Sequence, residues 1–88
     1  MPTTAAASLE TSMLGGGADP QALCQLGLMY ANGRSVPADM VSAHKWFNIA
    51  ALRGNAEAAR LRREIADEMS EAEIAAAQRA ARDWITRH

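Results

Sequence analysis

The sequence has few of the residues that build β-sheets, crosslinked mini-domains or metal sites. It contains one phenylalanine, one tyrosine and two tryptophans among 88 residues, whereas strands are enriched in aromatic and β-branched side chains. A single cysteine, Cys24, excludes an internal disulfide, which disfavours a small secreted domain. Together with His44 and His88 it matches no metal-ligand spacing. We therefore expect an all-helical fold without metal or cofactor.

The sequence also lacks an excess of charge of one sign and long runs of apolar residues. The net charge is −1, from nine basic and ten acidic residues, so no strong field would attract nucleic acid or an anionic lipid surface. The first residues show neither a basic segment nor the unbroken apolar stretch of a signal peptide or a membrane span. We expect a cytoplasmic protein that binds neither nucleic acid nor membrane.

Signals of catalysis are weak as well. Gly15-Gly16-Gly17 lacks the lysine that follows the glycines of a phosphate-binding loop. Cys24 has no basic neighbour in sequence that would activate its thiol, so it reads as a small buried apolar residue. His44 stands next to Lys45 and is expected to face solvent. The sequence predicts that the chain is not an enzyme.

What the sequence does contain is a succession of helix caps and helical apolar stripes. Asp19-Pro20 predicts a helix start, Asn32-Gly33 its end, and Leu23, Leu26, Gly27 and Tyr30 recur at the spacing of one helical face. Similar signals predict further helices from Asp39 to Arg53, over residues 56–69 and, after a Ser70 to Glu73 capping box, from Glu71 to Thr86. About four helices with short connections imply antiparallel neighbours.

Residues 1–18 are dominated by threonine, serine and alanine and end in three consecutive glycines. Such termini rarely order unless they are tied down, so we expect a flexible N-terminal tail. Leu9, Met13 and Leu14 are the larger apolar residues near its end. The alternative is that they form a helical turn or dock on the core.

Within residues 19–56 the spacing of small, aromatic and capping residues resembles the Sel1-like repeat, a relative of the tetratricopeptide repeat built from a helix-turn-helix unit. The resemblance implies a superhelix of paired helices, with one repeat at residues 19–54 and a degenerate capping pair at 55–88. The residues that carry it, and to which it assigns structural roles, are Ala22, Leu26, Gly27, Tyr30, Gly33, Asp39, Ala43, Trp46, Phe47, Ala50 and Gly54.

The resemblance implies an adaptor or scaffold that holds a protein partner on the concave face of its helices. The first helix supports this, because it has a second apolar face formed by Cys24, Leu28 and Ala31, with Met29 at its edge. An uncovered apolar face is a typical peptide-binding or helix-binding surface. We expect these four residues to bind a partner protein, with two alternatives: a face covered within the chain, and a homodimer in which a second copy covers it.

Overall fold

The computed structural model describes residues 19–87, which form four α-helices and no strand. These are α1 (Pro20–Asn32), α2 (Met40–Leu52), α3 (Ala56–Ala66) and α4 (Glu71–Arg87). The prediction of an all-helical fold with four helices is confirmed for this part of the chain. The predicted tail at 1–18 and the terminal His88 lie outside the described residues.

Each helix begins at a polar side chain that accepts a hydrogen bond from the first turn. Asn55 Oδ1, for example, accepts from the backbone N–H of Ala58 at 2.7 Å, which satisfies a donor without a partner inside the helix. The capping box before α4 is confirmed: the Glu73 N–H donates to Ser70 Oγ at 3.1 Å, and the Ser70 N–H donates to Glu73 Oε1 at 2.8 Å. Asp19 and Asp39 cap α1 and α2 in the same way.

The helix ends are also set locally. Gly33 ends α1 in the left-handed region, with φ 69°, and its N–H donates to the carbonyl of Met29. The third helix ends at Ala66, earlier than the predicted residue 69. The N–H groups of Glu68 and Met69 donate to carbonyls three residues back, at 3.0 and 3.1 Å, so the last turn tightens and the α-helical pattern stops before it.

The second helix is the hub of the described fold, since α1, α3 and α4 each pack extensively on it. The first and second helices approach closely at Gly27, where a built Cβ would lie 2.5 Å from Cδ1 of the Phe47 ring. A glycine at this position lets the two helix axes come together over a fully buried aromatic ring. The largest fully buried side chains belong to this pair of helices: Leu23, Leu26, Trp46, Phe47 and Ile49.

The third and fourth helices also pack on α2, and their most completely buried residues are alanines. Ala58 on α3 and Ala77 and Ala81 on α4 are fully buried, and small side chains let helix backbones approach closely. One aromatic contact reinforces α4: the ring of Trp84 meets the buried ring of Trp46 edge-to-face, with centroids 5.4 Å apart. None of the described helices combines the length and apolar character needed to cross a bilayer.

Candidate functional site

A groove lies between α1 and the start of α3. It arises because both helices pack on α2 but make few contacts with each other. Its volume is about 340 Å³, and its walls are formed by Gln21, Cys24, Gln25, Leu28, Asn55 and Glu57. We call it the α1/α3 groove.

The apolar part of the α1/α3 groove is formed by two residues of α1. Cys24 is 5% exposed and belongs to the core, and the half-buried Leu28 packs against that core. Burial raises the pKa of the Cys24 thiol, the Glu57 carboxylate raises it further, and Arg60 opposes them. A raised pKa keeps the thiol protonated at neutral pH, and a protonated thiol is a poor nucleophile. Cys24 therefore contributes an apolar surface to the groove.

The rim of the groove is polar and nearly balanced in charge. Gln21 and Gln25 are exposed on α1, and the oxygen of the Asn55 amide is already used to cap α3. The Glu57 carboxylate is paired with Arg60, with Oε1 and Nη2 2.6 Å apart, and Arg60 also contacts Glu64. The rim thus offers amide groups for hydrogen bonding, and its one carboxylate is largely compensated.

The four residues predicted to bind a partner do not all lie on one surface in the structure. Cys24 and Leu28 line the α1/α3 groove together. Ala31 and Met29 are half-buried against the core and do not line the groove. Met29 lies about 100° around the helix from Leu28, because that is the rotation of one residue.

Sequence reasoning missed the polar half of the groove. Gln21 and Gln25 stand one turn apart, and Leu28 follows at the next helical position, so their common face was readable from the spacing. Asn55 and Glu57 could not be found in this way. They join the groove only because α3 returns along α2 and places its first turn beside α1.

The expectation that His44 faces solvent is wrong. Its side chain is 3% exposed, and its Nδ1 has no hydrogen-bond partner. Burial lowers the pKa of His44, and the positive charge of Arg62 on α3 lowers it further. The imidazole is therefore neutral in the folded protein at neutral pH. Lys45, its neighbour in sequence, lies over the ring of Trp46, with Nζ 4.1 Å from the ring centroid.

The chain contains one sequence motif that is associated with catalysis: Ser42 and Lys45 have the Ser-x-x-Lys spacing of some acyl-transfer enzymes. The prediction of a non-catalytic chain took this motif to be absent, and that part of its reasoning is wrong. The Ser42 hydroxyl donates to Asp39 Oδ2 at 2.8 Å, within the cap of α2. The Asp39 carboxylate therefore accepts hydrogen bonds from both the hydroxyl and the backbone N–H of Ser42. Among the described residues, no three metal-ligating side chains lie together.

Comparison with known proteins identifies the segment that carries α1 and α2. Residues 20–55 match the family model of the Sel1 repeat, and no curated protein matches the chain at a significant level. The matched residues include both helices, the Gly27 contact with Phe47 and the Asn55 cap of α3. The resemblance seen in the sequence is thereby confirmed for residues 20–55, which match the Sel1 repeat.

Proposed function

We propose that this chain is a non-catalytic adaptor or scaffold that binds another protein in the α1/α3 groove. Sel1 repeats generally mediate protein–protein interaction, and the groove lies largely on the repeat. The observation that carries the proposal is the pairing of an apolar floor, Cys24 and Leu28, with an amide rim. Such a rim can hydrogen-bond a bound backbone, and such a floor can hold an apolar side chain.

The size of the groove restricts the partner. At about 340 Å³ it falls at the lower end of ligand-sized pockets, which range over about 300–1,000 Å³. It suits one or two apolar side chains of a short amphipathic segment better than a whole folded surface. The partner we propose is therefore a segment with apolar residues one helical turn apart and polar residues beside them.

We place the protein in the bacterial cytoplasm, in signalling or regulation. The support for a bacterial origin is the composition, which is rich in alanine and arginine, together with the type of repeat. The groove needs no catalytic group or cofactor to fulfil this role.

Capture of a partner from a bacterial lysate, compared between variants, tests the proposal. Leu28→Glu places a charge on the apolar floor and is expected to reduce capture by at least about tenfold, since a buried unpaired charge costs more than about 1.4 kcal/mol. Leu52→Glu is the matched control, because Leu52 is 67% exposed on α2 and does not line the groove. Equal capture by both variants would contradict the proposal.

A second variant covers the case in which Leu28→Glu unfolds. Gln25 is exposed on the rim, so Gln25→Arg adds bulk and charge to the groove without entering the core. Retained helicity by circular dichroism with reduced capture would support the groove as the binding site. Retained helicity with unchanged capture would exclude it.

The alternative occupant is a second copy of the chain, which would make the protein a self-associating structural homodimer. Light scattering across a dilution series separates the two functions. A dimer that dissociates on dilution, and that Leu28→Glu prevents, would favour self-association. A monomer at every concentration would exclude self-association.

A further inference from the structure

We propose that His44 makes the α1/α3 groove sensitive to pH: when its buried imidazole takes up a proton, α3 separates from α2 and the groove loses one of its walls. The separation of α3 is a property of the fold itself. Its consequence, the release of a bound partner as the pH falls, rests on the proposed function.

His44 lies on the face of α2 that α3 covers. His44 and Asn48 are four residues apart, so they stand one turn apart on the same side of the helix. Arg62 on α3 donates to Asn48, with Nη1 and Oδ1 2.6 Å apart, and its positive charge also acts on the His44 ring. The ring is buried, and its Nδ1 has no hydrogen-bond partner among the described residues. A proton on His44 would place a second cation beside the guanidinium and out of contact with water, which is unfavourable.

The charged side chain that faces His44 from a neighbouring helix is itself a cation. The first helix carries no charged residue, and its titratable side chains, Cys24 and Tyr30, have no cationic form. All carboxylates of α3 and α4 lie at exposed positions, as do their arginines apart from the half-buried Arg62. On α2 itself, Lys45 lies over the indole ring of the residue that follows it. A proton on His44 is therefore unbalanced until Arg62, and the helix that carries it, moves away.

The third helix is held to the rest of the fold mainly by α2. It makes few contacts with α1 and almost none with α4. Its buried apolar side chains are Ala58 and Ile65, whereas α1 and α2 share the five largest fully buried side chains of the described chain. Elements with few buried apolar contacts open locally before the whole domain unfolds. We therefore expect protonation of His44 to open α3 while α1 and α2 stay packed on each other.

The first turn of α3 forms one wall of the α1/α3 groove. Asn55 and Glu57 supply this wall, and Cys24 and Leu28 of α1 supply the other. Asn55 is tied to α3, because its amide oxygen accepts from the backbone N–H of Ala58. The wall would therefore move with the helix, and a partner held between α1 and α3 would lose its contacts on one side.

Opening is favoured as the pH falls. Burial and the positive charge of Arg62 hold the pKa of His44 below its usual value while α3 is docked. When α3 is detached, the ring is solvated and its pKa returns to the usual value of about 6.5. The docked form is therefore most favoured above about pH 6.5 and loses this advantage as the pH falls towards the lower pKa. Between about pH 7.5 and 6 the open fraction would rise by up to about fourfold.

Hydrogen exchange of the full chain, without a partner, tests whether α3 opens locally. Protection factors are used because they remove the intrinsic pH dependence of exchange. The amides of residues 61–65 in α3 should be less protected than those of α1, and their protection should depend less on urea, since local opening exposes less surface than global unfolding. Equal protection and equal urea dependence in the two helices would overturn the proposal, because α3 would then open only when the whole domain unfolds.

The same measurement at two pH values tests the role of His44. Protection in α3 of wild type should fall about two- to fourfold between about pH 7.5 and 6, and in His44→Leu it should stay constant. Lys45→Gln is the matched control, because it removes the neighbouring cation of α2 and should keep the wild-type pH dependence. A fall that persists in His44→Leu, or no fall in wild type, would overturn the proposal. If His44→Leu does not fold, His44→Met takes its place.

The native Cys24 reports on the groove itself, because it is the one cysteine of the chain and is buried in the groove. Its labelling by a pyridyl disulfide, which reacts at mildly acidic pH, should be faster when α3 is open. The ratio of the wild-type rate to the His44→Leu rate cancels the pH dependence of the thiol and should rise about two- to fourfold between about pH 7.5 and 6. A constant ratio would overturn the proposal. No partner is present in these measurements, so their failure leaves capture by the groove intact, and failure of capture at about pH 7.5 leaves the opening of α3 measurable.

Discussion

The two helices of the Sel1 repeat and the two helices that follow it use different residues for the same task. In the described part of the chain, the five largest fully buried side chains all lie on α1 and α2. The fully buried residues of α3 and α4 are alanines, and the ion pairs around Arg60 and Arg87 lie on these two helices. The repeat supplies the large side chains of the core, and the second pair contributes small inner residues and ion pairs on its outer surface.

The difference between the two pairs of helices is visible at the positions that correspond in sequence. When the second pair is aligned on the repeat, Arg62 and Arg63 stand where Leu26 and Gly27 stand in the first pair. Arg62 does not enter a core but donates to the side chain of Asn48 on α2, with Nη1 and Oδ1 2.6 Å apart. Arg63 is exposed. The family pattern therefore fades where the packing role of each position changes, while the helices themselves persist.

The largest effect should come from emptying the core of the repeat. Phe47→Ala removes a fully buried ring and is expected to lower the free energy of unfolding by about 3–5 kcal/mol. The matched change in the second pair is Ile65→Ala, since Ile65 is the large buried side chain of α3 at 8% exposed. We expect a loss of about 2 kcal/mol there. Urea denaturation followed by circular dichroism measures both losses, and equal losses would break the distinction between the two pairs of helices.

The contact between Gly27 and Phe47 should respond next. Gly27→Val forces a side chain into the position that lies 2.5 Å from the Phe47 ring, and we expect a loss of about 1–3 kcal/mol from overpacking. Because the cause is a single pairwise clash, Phe47→Leu in the same chain should recover part of the loss. A double-mutant cycle measures this coupling. Additive losses would mean that Gly27 is not a close contact between the helices.

The docking of α4 should be weaker than the packing inside the repeat. Trp84→Leu removes the edge-to-face contact with Trp46 and is expected to cost about 1 kcal/mol. The near-ultraviolet circular dichroism of Trp46 should change as well, since its neighbour is lost. Ile85→Leu is the control, because Ile85 is 37% exposed beside Trp84. A loss as large as that of Phe47→Ala would place Trp84 in the main core.

The features that could be predicted from sequence are those decided within a few residues. The capping box of Ser70 and Glu73 and the Gly33 helix end depend on neighbours along the chain, and so does the family pattern. The α1/α3 groove depends on where α3 lies after it has packed on α2. Of its lining residues, only those on α1 share a helical stripe that sequence alone can show.

His44 also separates what the sequence shows from what depends on the packing of the helices, although here the prediction from sequence was wrong. Its sequence neighbour Lys45 suggested a solvent position, but adjacent residues of a helix point about 100° apart. Met40, His44 and Phe47 fall on one face at helical spacing, so the burial of His44 was readable. Its unpaired Nδ1 and its proximity to Arg62 were not, because they depend on the position of α3.

The smallest effect we expect is a pH dependence that arises where the two pairs of helices meet. Burial and Arg62 hold the pKa of His44 below its usual value in the folded protein. His44 therefore binds a proton more readily in the unfolded chain than in the folded protein. The free energy of unfolding consequently rises with pH between the lower pKa of the folded state and the usual pKa of histidine. The contribution of His44 is complete above about pH 6.5, the usual pKa of histidine, and is lost as the pH falls through the lower pKa of the folded state.

His44→Leu isolates this contribution, because the carboxylates that titrate at lower pH are common to both proteins. The difference in free energy of unfolding between wild type and His44→Leu should depend on pH between about 7 and 5, with wild type losing stability as the pH falls. Arg62→Gln should reduce that dependence without abolishing it, since burial is the larger cause and Arg62 the second. A difference that is independent of pH would mean that His44 reaches solvent in both states. The second pair would then not seal α2 at this position.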